Sequence, residues 1–598
     1  LLPRSKHICR ARALLFSSMD LPDSSPCVSI KQWEEAGTSL IAALKNYMNM
    51  CLNLGTLSLC ESAEPKDLVS RIDSTLTTVH MTMSHHLNES TCTLARTRNR
   101  LASLPFRFPE EVLYVIFMNV VYDDHDVYAS RLSTMKQDIW FLYRRLYSLI
   151  GVCSTWRNII MNRGTLWSVV PIVSNSRAGE WRPFELSLKR AGGSILHLAT
   201  ISKLTDSPSA SDLVAVLDEH GPRFRTINIS MNDPEEIQNG ISQLLRHNTP
   251  GLLSELSIQC THTLNETPML PPRHHYIVPR NSPEQASFVT LVHALVSFRI
   301  NGVHVHWNSL TFSTKLVELR IEKVALGYDD TIIPFMRALA SATCLRDLKI
   351  ISVTTFRRLG AARHPVPSSP VTFPALQSLL IEDLHLNTLE HLLPMITPGP
   401  HHLTLFLSPD SLEINVLPGE HEEDETEDDE ITDFDGLCRL LNHTSVDTLM
   451  LTGHVHDLWL GVSKLTELLK SIPTMKTLKM HCWTFGKSLC KGLARVDNTE
   501  TLLETNPMPA LQNLYLSTID IHSPKTFRDM IASYPLRQVV IGGNIQIVRH
   551  DVAVGWRPIG ENSAIVKWIR GNMPNLDLRL IDDEYRPPEF HSDEWKLW

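Results

Sequence analysis

A short pattern of apolar positions at 0, +3 and +5 recurs from residue 224 onward. It reads "FRTINI" (Phe224, Ile227, Ile229) and "LSELSI" from Leu253. It returns as "LVELRI" from Leu316, "LRDLKI" from Leu345 and "LQSLLI" from Leu376. Later copies are "VDTLML" from Val446, "MKTLKM" from Met475, "LQNLYL" from Leu511 and "LRQVVI" from Leu536. The last two apolar positions of each copy flank one residue that points the other way, the alternation of a strand. The middle apolar position advances by 29 residues from Ile227 to Leu256, from Leu319 to Leu348 and from Leu449 to Leu478. "VSFRI" near Phe298 fits the double gap between Leu256 and Leu319. Helical patterns such as "LNTLEHLLPMI" (Leu386 to Ile396) and "SKLTELLKSI" (Ser463 to Ile472) fall between copies. One strand and one helix per period, at or slightly above the roughly 20–29 residues of a leucine-rich repeat, predict an α/β solenoid of parallel strands plus helices.

Alternation then assigns faces. The residue between the last two apolar positions should lie on the concave face, open to solvent. That row contains Arg320, Lys349, Leu380, Met450, Lys479 and Tyr515, with Ser257 and Val540 at its ends. Its mixture of cations and apolar groups suits a protein substrate.

The period changes upstream. Across residues 31–103 apolar residues recur at three and four, as in Leu40, Ala43, Leu44, Tyr47 and Met48, then Leu68, Ile72, Leu76 and Val79 after Pro65. This predicts two amphipathic helices, forming a hairpin or coiled coil or packing on the next domain. Residues 104–170 predict three short helices. Pro109, Glu110 and Glu111 suit a helix start, and Leu113, Ile116 and Phe117 form a stripe behind it. "YSLIGVCSTWRNII" carries Val152, Cys153 and Trp156 at helical spacing, Gly164 ends the helix, and Leu166-Trp167 closes the segment. So small a segment cannot bury so many large side chains alone, and tryptophan is enriched at interface centres. Part of this surface is therefore expected to meet a partner or the adjacent solenoid, with Trp156 and Trp167 as candidate interface residues.

Composition narrows the function. The chain has 598 residues, too many for one ordinary domain, and 43% of them are hydrophobic. Its net charge is −9, with 65 acids against 56 Lys and Arg and no basic stripe, which argues against nucleic acid as a partner. No apolar run reaches the roughly 18 residues of a membrane helix, so no membrane partner is expected. The 11 cysteines include no CxxC, and the 27 histidines form no zinc spacing. No metal or other cofactor is expected. Scattered free thiols suit a reducing compartment, the cytoplasm or the nucleus. There is no GxSxG, phosphate loop, HExxH or kinase set, so the chain is not expected to be an enzyme. Residues 1–30 read as disordered or as lying outside the native start, a transit peptide being the other reading of their first basic stretch. The acid run "EHEEDETEDDE" (Glu420 to Glu430) predicts a solvated loop over 418–435 within a solenoid of 171–580. Residues 581–598 read as a C-terminal tail.

The 104–167 segment resembles an F-box: Phe108-Pro109-Glu110-Glu111, then Leu113 with Ile116-Phe117, then Val152-Cys153 with Trp156-Arg157, then Leu166-Trp167. It departs from that family in the long link of about Tyr122 to Tyr143, which holds Trp140, and in repeats without a regular Asn or Cys after the strand. An F-box followed by leucine-rich repeats resembles the substrate receptors of SCF-type ubiquitin ligases, of the kind found in basidiomycete fungi. The resemblance implies that Phe108, Pro109, Glu111, Leu113, Ile116, Phe117, Val152, Cys153, Trp156, Leu166 and Trp167 bind a Skp-family adaptor. Through that adaptor the chain would join a cullin and a RING module, while the repeats hold a substrate protein. A repeat scaffold that binds proteins without a ubiquitin ligase is the competing expectation.

Overall fold

The computed structural model describes residues 28–61, 64–102, 108–122, 134–173, 183–202, 208–246, 251–261, 270–271, 275–358, 370–417, 432–453, 459–495, 508–549, 552–582, 587–592 and 595–597. The expectations for residues 1–27 and for the acid run Glu420 to Glu430 lie outside these. The chain forms two compact units, Leu1–Pro109 and Glu110–Trp598. The first consists of helices α1 (Val28–Cys60), α2 (Pro65–Thr75) and α3 (Met81–Ala102), the last two joined through a π-turn at Leu76–His80. Tyr47 on α1 meets His80, its hydroxyl 3.4 Å from Nε2. Of the apolar positions read from the sequence, Leu40, Leu44, Met48, Ile72, Leu76 and Val79 are exposed, while Tyr47 and Leu68 are half-buried.

The second unit is a solenoid. Among the described residues sixteen strands share one sheet, running in chain order from Val169–Val173 to Gln538–Arg549. Pairing along that path is parallel, as alternating strands and helices require. At Gln538–Arg549 the pattern changes: its second half forms an antiparallel hairpin with Val552–Pro558, and its first half pairs in parallel with Asp577–Leu580. The apolar pairs of the repeat motif, such as Leu319 with Ile321 and Leu348 with Ile350, are fully buried in one continuous core. The strand Ser297–Asn301 occupies the double gap, through Phe298 and Ile300.

The repeats end their strands by conformation rather than by a fixed residue type. One position after each of several strands adopts a positive φ: Gly302 (65°), Lys323 (51°), Ser352 (46°), Asp383 (54°) and Cys482 (58°). Each of these turns the chain off the sheet, and its N–H still donates to the next strand, as Lys323 does to Ile351 O at 3.0 Å. The turn needs a left-handed residue, which several side chains tolerate at modest cost, so no single residue type recurs.

Gly543 is a stricter case. With φ at 136°, it passes so close to Ile519 that a Cβ would overlap the Ile519 backbone, beside a register shift between Leu516 and Ile519. Gly543→Ala should cost about 1–3 kcal/mol or more in strain and clash, read as a lowered urea midpoint with an unchanged slope.

Candidate functional sites: a helical platform and the helix-free face of the sheet

Helix α4 spans Glu110–Tyr122, α5 Met135–Ile150 and α6 Ser154–Asn162, followed by a 3₁₀ turn at Gly164–Trp167. Glu110 and Glu111 lie in the first turn of α4, where the helix dipole favours acids. Thr134 and Gln137 form a capping box on α5. Cys153 caps α6, its Sγ accepting from Trp156 N at 3.5 Å. The long link expected from Tyr122 to Tyr143 is thereby corrected. Helix α5 already begins at Met135, so Trp140 and Tyr143 stand on a helix; residues 123–133 lie outside the described ones.

Burial divides the residues assigned to the adaptor surface. Leu113, Phe117, Leu166 and Trp167 are buried, and Trp156 is half-buried, its ring 4.8 Å from that of Phe117. Trp167 is 2% exposed, and its indole N–H donates to Ile160 O at 2.9 Å. Of the two expectations for that surface, a partner or the adjacent solenoid, Trp167 meets the second: it is core, with Arg190 of the first repeat over its ring. The exposed members are Phe108, Pro109, Glu111, Ile116 (40%) and Val152 (55%). Ile116 belongs to an exposed stripe with Val112, Val115 and Val120, which the helical spacing places on one side of α4.

The platform is fastened to the first repeat. Tyr143 OH, on α5, donates to Val169 O at 2.9 Å and lies 2.5 Å from Ser187 Oγ. Burial pushes its phenol far above the ordinary value, so it remains a donor. Gly164 packs so closely on the Ala191 carbonyl that a Cβ would overlap it. Arg190 lies over the Trp167 ring, 5.9 Å from its centroid. These contacts join the three helices and the first strand into one body.

The predicted substrate row also changes. Arg320, Lys349 and Leu380 are in register with one another, and Leu380 continues to Thr404, Thr448 and Thr477. Met450, Lys479 and Tyr515 continue instead to Phe406, Glu382 and Glu322. The six residues thus occupy two parallel rows, two residues apart, on one face. The shift occurs at the strand His402–Leu407, whose Leu403, Leu405 and Leu407 are all buried and so can pair with either motif register.

That face is not open. Met450 is 1% exposed, and Arg320 binds buried Glu322 at 2.6 Å. Residues read as a tail lie across it. Lys479 Nζ donates to Glu589 Oε1 at 2.9 Å, and Ser592 Oγ donates to Glu382 Oε1 at 2.5 Å. Arg320 donates to the Ser592 carbonyl and sits over the Trp595 ring, 5.6 Å from its centroid. Trp595 Nε1 donates to Asn228 Oδ1 at 2.7 Å. Asn228, Glu322, Glu382, Phe406 and His481 are face residues that the motif reading missed. The alternation on their strands could have located them.

Burial, with Asp383 and Glu322 nearby, pushes the Glu382 carboxyl up to about 7, against the pull of Ser592 and Arg320. A raised folded-state value stabilises the fold fully below the unfolded value of about 4.3, and this is lost as pH rises through about 7. Glu382→Gln should therefore show a smaller loss of stability than wild type between about pH 5 and 8, by up to about 3 kcal/mol. Urea titrations across that range check this.

No family model matches the chain, and no curated protein matches it. Among solved structures, it is similar to a chain in the crystal structure of the Rad7 and Elc1 complex in yeast, at 12% identity over 85% of this chain and 96% of that one, with a TM-score of 0.33. It is similar to a chain in the TLR13–ssRNA13 complex at 10% identity, over 54% of this chain and 46% of that one, with a TM-score of 0.20. Neither likeness extends to function at such scores. Among the described residues no helix is long and apolar enough to cross a membrane, and no group of three or more His, Cys, Asp or Glu is placed to hold a metal ion.

Proposed function

We propose that this repeat protein is the substrate-recognition subunit of an SCF-type ubiquitin ligase. In this reading the α4–α6 platform docks a Skp-family adaptor, which connects the chain to a cullin and a RING module. The repeat face holds the substrate protein. The observation that carries the reading is the exposed apolar stripe of α4, on a platform whose ordered motif resembles an F-box. Isolated exposed apolar residues need no explanation, but a stripe on one helix marks an interaction surface. Ile116 and Val152 are its direct contacts, with Phe108 and Pro109 just ahead of α4. Leu113, Phe117, Trp156, Leu166 and Trp167 hold the helices in place.

The chain performs no covalent chemistry in this reading. Its contribution is to hold substrate lysines near the charged ubiquitin carrier, which turns a bimolecular encounter into a local one. Such positioning needs a rigid connection between the two binding surfaces. The contacts of Tyr143, Gly164 and Trp167 with the first repeat are of that kind. The cytoplasm or nucleus is the setting this requires. The test is recovery of a purified Skp-family adaptor by wild type and by Ile116→Asp/Val152→Asp. Equal recovery by both sinks the assigned surface, and none by wild type favours the scaffold without a ligase.

A further inference from the structure

The C-terminal residues on the helix-free face are held by a sequence of specific side-chain contacts. Glu589 pairs with Lys479, which itself lies over the Tyr515 ring at 5.0 Å. Phe590 enters an aromatic slot, edge-on to Phe406 at 5.5 Å and stacked on His481 at 5.2 Å. Ser592 donates to Glu382 and accepts from Arg320. Trp595, 7% exposed, donates to Asn228, whose Nδ2 in turn donates to the carbonyls of Lys596 and Leu597 at 3.0 and 2.5 Å. The far end reaches α5, where Met135 N donates to Trp595 O at 3.0 Å and Leu597 N to Asp138 Oδ2 at 3.2 Å.

Apart from a single 3₁₀ turn at Pro588–Phe590, the described part of this segment has no regular structure. It is held through side chains (Glu589, Phe590, Ser592, Trp595) and through its backbone (Ser592 O, Trp595 O, Lys596 O, Leu597 O and Leu597 N), as an extended peptide ligand would be. Strands from Phe224–Met231 to Thr477–His481 contribute to its recognition, so it spans most of the repeat face.

We infer that the helix-free face is a groove for an extended acidic–aromatic peptide segment of a partner protein, and that residues 588–592 and 595–597 occupy it in cis as a competing copy of that ligand. The ligand pattern is an acid followed directly by an aromatic residue, a hydroxyl two positions later and a Trp three beyond that. This rests on the reading of the chain as a receptor and names the substrate class that its repeat face takes. A tethered segment acts at an effective concentration of about millimolar, so a cis copy with roughly 10 μM intrinsic affinity weakens binding in trans by about 100-fold.

The experiment uses the full chain and a fluorescein-labelled synthetic peptide of residues 587–597, read by fluorescence anisotropy. The native chain should bind it weakly. Glu589→Lys/Phe590→Ala, which leaves Trp595, Leu597 and the α5 contacts in place, should bind it at least about tenfold tighter. Adding Lys479→Glu to that variant should reverse the gain. If the double variant melts with the native chain yet binds the peptide no tighter, the segment is a fixed part of the fold and the inference falls. Should that variant fail to fold, Ser592→Asp, which sets a second carboxylate against Glu382, is judged by the same tenfold criterion. Adaptor capture is measured on the same proteins. Its absence from the native chain overturns the receptor reading, whereas intact capture without a peptide gain overturns this inference alone.

Discussion

Ile116→Asp/Val152→Asp should abolish capture of a Skp-family adaptor without lowering the melting temperature. Both side chains are substantially exposed in the free chain, so replacing them removes no core contact. In a complex each would bury its remaining exposed area, worth about half of the roughly 1.5–3 kcal/mol of a whole such side chain. A carboxylate in their place adds the cost of burying an unpaired charge. If the two sites act independently, their combined loss is at least about 4 kcal/mol, close to a thousandfold in Kd. Calorimetric titration of purified adaptor measures this directly. Trp156→Ala would be a poorer test, because Trp156 packs on Phe117 and its loss would disturb the helices as well as any interface.

Trp167→Ala is expected to be the most damaging single change in the platform. It removes a fully buried indole, leaves Ile160 O without its donor and deletes the ring under Arg190. Large aromatic deletions in cores cost about 3–5 kcal/mol. Trp167→Phe retains a ring but loses the N–H bond, and should cost about 1–3 kcal/mol. A Trp167 that served only as a surface contact would instead change stability by less than about 0.5 kcal/mol on truncation. Urea unfolding followed by circular dichroism separates these outcomes. Because each repeat leans on its neighbours, the loss should propagate into the first strands, Val169–Val173 and Leu196–Ser202.

The repeat strands were legible because their signal is local. Leu319 and Ile321, or Leu478 and Met480, alternate with residues that face away, and the burial of each apolar pair follows that period. The strand His402–Leu407 escaped the motif because it lacks an apolar residue three positions ahead of Leu403, yet its alternation is clear in "HLTLFL". The helical platform was legible in position but not in orientation. Ile116 and Phe117 are adjacent and equally apolar in sequence, yet one is exposed and the other is the floor under Trp156. Helical periodicity identifies a stripe about 100° wide; which edge of it meets the core depends on how neighbouring helices pack.

The sequence by itself determined the class of this protein: an α/β repeat array preceded by short helices, with apolar spacing that specifies strand, helix and period. Those features depend on residues within about one turn or one strand of each other, so a linear pattern records them. Only the tertiary structure decided that the face row splits in two, that Trp167 is core, and that the C-terminal residues cover the repeat face. Asn228 meets Trp595 across 367 positions of sequence, and Arg320 meets Ser592 across 272. Contacts over such separations leave no periodic mark, because each is fixed by where the solenoid brings two distant segments together.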